Sequence, residues 1–497
     1  MADSVTSSSQ ETGKKGLGLM GMIAIVFGSM VGGGIFNIAQ NMASAAGLGA
    51  VIISWCITGF GMVFLVLTFK VLSDKCPQLN EGIYQYAEKG FGKYIGFNIA
   101  WGYWLCVALG NVAFAIMLND SFGAFFPVFL KHSWPTIIFG CGIIWIMYFI
   151  VIRGVMTATL INTIMTILKL TAVIIIIAVL VVFFKSEYFT FDFWGHKYSA
   201  TVKPLGSLGN QIMGTMLVTM FCFVGVEGAV MLSSYARRQS DVGRASVIGF
   251  YLALLVYMLI SILCYGIRTQ PVLAEMHDPS IAYVLRAVCG DWGYYFVICT
   301  VIVSLLSAFI AWTLLCAQTP LGASTVHILP SQFTKVNKKG VPYYGLVLSS
   351  IFMSLFVVLV CTAHNVYMAA LNLTTVMVLP AYAFSGAYLW KICIKDQSFR
   401  NSVSRKERIR YLWIGIICTV YCAWCVFAGG AWIFFATSVL YAIGIYFYYQ
   451  TMRQNSIREG VKLKLFNAWE LILMIIIVLC AIASVILMIM GKIQLGS

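Results

Sequence analysis

Two ionisable side chains stand deep inside apolar runs of this sequence: Glu227, in Phe221-Cys-Phe-Val-Gly225-Val-Glu227-Gly228, and Lys169, in Leu168-Lys169-Leu170. A carboxylate at mid-membrane depth costs at least about 2.5–3.5 kcal/mol on insertion scales. Such an acid faces a cavity and marks function, or it is a hydrogen-bonded group that holds local structure. Asp120, Asp291 and Glu470 sit at the ends of apolar runs. Lys169 either snorkels along its stem to the interface or serves a buried role. Beside these groups lie two glycine-rich interruptions, Gly28-Ser29-Met-Val-Gly32-Gly33-Gly34 and the stretch around Gly225 and Gly228. Glycine lowers helix stability by about 0.8–1.0 kcal/mol relative to alanine and frees the chain to unwind. Within lipid, freed N–H and C=O groups survive only where they line a cavity; the other reading is close helix packing through small residues. A helix restarting near Gly33–Gly34 presents N–H groups and a positive dipole end to an anion. Carbonyls ending the preceding half-helices, near Val26–Ser29 and Phe221–Val224, can receive an ammonium. This is chemistry for holding a zwitterion.

Other chemistries lack their parts. The five histidines stand near segment ends or in loops, which argues against a histidine relay, and no phosphate-binding loop supports primary active transport. Most of the fifteen cysteines sit inside apolar runs and read as small hydrophobes. No metal or cofactor is expected.

The elements that must position these groups follow from composition. Of 497 residues, 61% are hydrophobic and 10% charged, against about 45–50% and about 25% in soluble domains. A soluble enzyme, a nucleic-acid binder and a disordered chain are excluded. Thirteen apolar blocks each reach the roughly 20 residues of a spanning helix. With the N-terminus inside, twenty-four of the 32 Lys and Arg fall on inner segments and seven on outer ones, with Lys169 on neither. That asymmetry is the positive-inside pattern, and it accounts for the net charge of +15 without nucleic acid. Residues 1–16 are polar, lack a signal-peptide pattern and read as a cytoplasmic tail. The expectation is an all-α polytopic membrane protein in a plasma membrane. Its interruptions fall in the first and sixth spans, and paired broken helices point to a transporter's binding site.

At these residues the sequence resembles a known family. Gly28-Ser29-Met-Val-Gly32-Gly33-Gly34-Ile35-Phe36, Gly102-Tyr103-Trp104 with Gly110-Asn111, Gly225-Val-Glu227-Gly228, Ala311-Trp312-Thr313, and Val336-Asn337-Lys338-Lys339-Gly340-Val-Pro342 resemble the amino acid–polyamine–organocation superfamily. Within it they are similar to bacterial basic amino acid/polyamine antiporters of the arginine/ornithine and arginine/agmatine kind, from about residue 15 to 450. The resemblance implies two inverted five-helix repeats, over 17–184 (helices 1–5) and 209–390 (helices 6–10), followed by accessory helices over 411–490. It implies a carrier and not an enzyme. Its partners would be the bilayer and small cationic amino acids and amines, arginine exchanging for ornithine or a related amine such as agmatine by alternating access.

The same resemblance suggests roles residue by residue. Ser29, Gly32, Gly33 and Gly34 would meet the substrate backbone. Trp312 would lie against its aliphatic and cationic end, where cation–π attraction is worth about 0.5–2 kcal/mol. Phe221 matches a gating aromatic and Tyr103 a gate hydroxyl. Asn111 matches a recognition amide, with interhelical hydrogen bonding as the alternative, and Thr374 is a further candidate. Glu227 would lie beside the substrate in release or coupling. Three features depart from the pattern: a thirteenth helix beyond the usual twelve, phenylalanine at 221 where tryptophan is frequent, and Lys169, found in some proton-coupled members. They leave open a proton-coupled uptake permease and a lysine/cadaverine exchanger. A bacterial inner membrane is the expected location, with a homodimer or a single subunit as the assembly.

Overall fold

A computed structural model describes residues 16–131, 134–196, 204–360, 366–428, 431–460 and 464–490. The expected tail lies outside the described residues, Gly16 excepted. The described residues form helices, with one isolated bridge between Leu17 and Ala236. Apart from short helices at Ser186–Thr190, Gln270–Ala274 and Gln397–Ser402, these are in chain order α1 (Leu19–Met30), α2 (Gly34–Ala43), α3 (Leu48–Lys75), α4 (Ile83–Phe91), α5 (Lys93–Gly123), α6 (Trp134–Val151), α7 (Val155–Val182) and α8 (Leu208–Phe221). There follow α9 (Gly228–Met231), α10 (Gln239–Cys264), α11 (Ser280–Thr325), α12 (Tyr343–Val360), α13 (Val366–Lys395), α14 (Arg405–Ala428), α15 (Ala431–Glu459) and α16 (Ala468–Ile489). Each of the thirteen apolar blocks carries helix. Among the described residues, ten spans are long and apolar enough to cross a membrane, the interrupted first one among them. The sixth is cut in two.

The first and sixth spans are the broken ones. In the first, Val31 leaves helical geometry at φ −82°, ψ 78°, and the helix resumes at Gly34. In the sixth, Gly225 takes φ +107°. A Cβ there would also lie 2.8 Å from the Ser29 hydroxyl oxygen, so this position requires glycine. The eighth span differs from expectation, because α11 extends back past its apolar block to Ser280 across a kink at Gly290, φ +69°.

Burial follows the helical period. On α7, Asn162, Thr166, Lys169, Val173, Ile176 and Leu180 form one buried stripe, while Leu160, Ile164, Ile167, Leu168 and Ile174 are exposed toward lipid. Lys169 therefore points into the protein and does not snorkel. The centre is α5, buried along nearly its whole length and packed between α11 and α13. At the rim, α16 rests on α15 with most of its surface outward. Its start is fixed by a capping box in which the Asn467 side chain and Glu470 satisfy each other's backbone N–H groups.

Candidate functional site

The unwound stretch of the first span turns a row of carbonyls away from helical partners, and side chains from three other helices take them. Lys169 donates to the Gly28 carbonyl at 2.8 Å and the Val31 carbonyl at 2.5 Å. The Trp312 indole N–H donates to Ser29 at 3.0 Å, and the Tyr257 hydroxyl to Met30 at 2.9 Å. Ser304 bridges Val31 and Gly32 at 3.1 and 3.0 Å. A hydroxyl and amide seam continues toward Ala24, where Ser307 donates to Asn162 at 3.0 Å and meets Thr166 at 3.2 Å. An ammonium is thus held by backbone dipoles with no acid within ion-pair distance among the described residues.

The sixth span's break is satisfied in the opposite sense. Glu227, buried, accepts the Gly225 N–H at 3.1 Å, the Tyr103 hydroxyl at 2.7 Å and the Tyr382 hydroxyl. Three donors converge on one carboxyl, the arrangement an ionised, acceptor-only carboxylate requires. Ser29 ties the two breaks together: its hydroxyl reaches the Gly225 carbonyl at 3.0 Å and the Ile25 and Val26 carbonyls at 2.7 and 3.0 Å.

Between the breaks lies a closed pocket, about 170 Å³ of space between atoms with no room for a water molecule, lined by Ser29, Met30, Gly32, Gly33, Gly34, Phe114, Phe221, Val224 and Trp312. Small-molecule sites usually occupy about 300–1,000 Å³, so a substrate requires this one to open. One end is the start of α2, which no side chain caps. The other end is aromatic: Trp312 meets Phe114 edge to face with ring centroids 5.1 Å apart. Phe221 faces Gly34 closely, since a Cβ on Gly34 would come within 3.2 Å of its ring. Gly33 is fixed by packing, with Met117 and Leu305 at 2.3 and 2.9 Å from an added Cβ.

The structure separates the expected site residues into groups. Ser29, Gly32, Gly33, Gly34, Phe221 and Trp312 line the cavity; Glu227 with Tyr103, and Lys169, belong to the two clusters holding the breaks. Asn111 and Thr374 are buried outside the cavity lining. Asn111 donates weakly to the Cys316 sulfur at 3.7 Å, and its Oδ1, like the Thr374 hydroxyl, has no hydrogen-bond partner among the described residues. The expected ammonium acceptors at Val26–Ser29 are already occupied: Val26 by Ser29, Phe27 by the Val31 N–H, Gly28 by Lys169 and Ser29 by Trp312. The carbonyl of Val224, a residue of the pocket wall, accepts no such bond among the described residues. Tyr257, Ser304 and Tyr382 were missed, being ordinary polar residues of apolar runs; the spacing of Asn162, Thr166 and Lys169 could have revealed the seam. Cys422-Ala-Trp-Cys425 has metal-binding spacing, yet both thiols are buried within α14, and no group of three metal-ligating residues occurs among the described residues.

The pattern of the family described as amino acid permease matches residues 17–452. The chain belongs to this amino acid permease family. Among curated relatives, the arginine/agmatine antiporter of Chlamydia pneumoniae is 40% identical over 490 residues, covering 98% of this chain and 100% of its own. Those of Chlamydia felis and Chlamydia caviae are 40% identical over 444 residues (89% and 91% covered) and 39% over 484 residues (97% and 98%). Membership in the family makes the chain a polytopic membrane transport protein, as its motifs imply.

Proposed function

We propose that this permease exchanges arginine for agmatine, ornithine or a related amine by alternating access. The observation that carries the reading is the two-ended cavity. The uncapped start of α2 suits a carboxylate, and Phe114 and Trp312 suit an aliphatic chain ending in a cation. The Val224 carbonyl is the acceptor we assign to the α-ammonium. Asn111 and Thr374, each with an unpartnered polar atom, would meet the substrate side chain once the cavity opens. The names of the Chlamydia relatives support the substrate pair. Tyr103, Glu227 and Tyr382 would form a gate that opens when the sixth span moves. In this reading residues 17–184 and 209–390 are the inverted repeats and 411–490 the accessory helices. The N-terminus is cytoplasmic at a bacterial inner membrane; mass photometry in nanodiscs distinguishes a single subunit from a homodimer.

Lys169 favours a second reading, proton-coupled uptake of a cationic amino acid, because it is a buried amine with no acid beside it. Counterflow into liposomes separates the two. Exchange requires arginine uptake that depends on internal arginine or agmatine and is indifferent to an imposed proton gradient. Equal uptake into empty liposomes, driven by that gradient, would replace exchange with uptake.

A further inference from the structure

Gly110 lies on α5 one turn before Phe114 and stands against the Trp312 indole. A Cβ at this position would come within 1.9 Å of Cζ3 and 2.5 Å of Cε3 of that ring, far inside any tolerated contact. The indole has little freedom to yield sideways. It is buried, its N–H is bonded to the Ser29 carbonyl, and Phe114 meets it edge to face. It also lines the pocket between the breaks.

We propose that Gly110 is a positioning residue that sets the depth of the cavity through Trp312 and so selects the length of the amine held there. The inference rests on the reading of that cavity as the amine site. A methyl group at 110 drives the indole toward the space between Gly32 and Phe221 and strains its bond to Ser29. The longest substrate then loses most. Arginine is penalised more than ornithine, a distinction that general loosening of the fold would not produce. A phenylalanine at 312 lacks the six-membered ring of the indole that the methyl would strike, so the glycine becomes dispensable beside it.

Equilibrium binding of arginine and ornithine to four purified proteins tests this: wild type, Gly110→Ala, Trp312→Phe and the double variant. We expect Gly110→Ala to weaken arginine binding about tenfold, within the range by which contacting residues couple. Ornithine binding should fall clearly less. On the Trp312→Phe background the alanine should change arginine affinity less than about twofold, the additive limit. An equal loss on both backgrounds, or equal losses for the two amines, overturns the proposal. If Gly110→Ala does not fold, recovery of a folded protein in the double variant supports it. Failure of the double variant while Trp312→Phe alone folds refutes it. Wild-type protein that binds neither amine contradicts the amine-site reading instead, and the thermal stabilities of the four proteins then report the Gly110–Trp312 contact by the same comparison.

Discussion

The two broken helices meet the same problem with charges of opposite sign. At the first break the exposed groups are carbonyls, and the ammonium of Lys169 takes two of them. At the sixth the exposed group is an N–H, and the carboxylate of Glu227 takes it together with two tyrosine hydroxyls. Neither charge pairs with an opposite side chain among the described residues. Each is neutralised by oriented dipoles, which are fully effective only while the break keeps its shape. The difference lies in where the partners come from. Val31 is held by Lys169 and Ser304, from two other helices. Gly225 is held by Glu227 and Gly228 of its own stretch and by Ser29 of the other break.

That contrast can be broken from either side. The largest effect is expected for Lys169→Ala, which leaves the Gly28 carbonyl orphaned and Val31 with Ser304 alone. An orphaned buried acceptor costs about 1–3 kcal/mol, so thermal stability should fall and exchange in liposomes should vanish at every pH. Unchanged transport would show that the ammonium is a passenger. Glu227→Gln should cost less, because one acceptor survives and the tyrosine hydroxyls can turn to accept. We expect near-normal arginine binding with exchange slowed about tenfold or more, as for the loss of one charged hydrogen-bond partner. A collapse of binding would instead make Glu227 a direct substrate contact. Tyr382→Phe removes one of three donors and should slow exchange by the smaller share of about 0.5–1 kcal/mol, or about two- to fivefold; an effect as large as that of Glu227→Gln would mean the gate depends on this hydroxyl alone. The smallest change concerns the cavity shared by both breaks. Trp312→Leu should weaken arginine binding by about 0.5–2 kcal/mol and Trp312→Phe by less, with equal affinities excluding an aromatic contact.

Much of this is legible in the sequence. Glycine density locates both breaks, because it depends only on residue type along the chain. Glu227 and Lys169 stood out because ionisable groups in apolar runs are rare. What they hold was hidden. That Lys169 reaches Gly28 and Val31 depends on the rotation of α7 against the first span, and the neighbours Asn162 and Thr166 marked that face without identifying its partner. Tyr257 and Tyr382 are two of 25 tyrosines, and nothing local distinguishes a tyrosine that meets a broken helix from one that anchors at an interface. The Gly110 contact with Trp312 joins residues two hundred positions apart, through a side chain that is missing. Asn111 and Thr374, expected at the substrate, stand outside the closed pocket, since a motif gives identity and not the state of closure.

The account stands most directly on the separate roles of the two buried charges. Hydrogen-exchange mass spectrometry of nanodisc-embedded wild type, Lys169→Ala and Glu227→Gln reads them in one measurement. Lys169→Ala should speed exchange in peptides covering 26–36 and leave 220–230 protected. Glu227→Gln should do the reverse, with the larger opening on the sixth span. Acceleration in both segments for both variants, or in neither, would contradict the claim that each charge holds its own break.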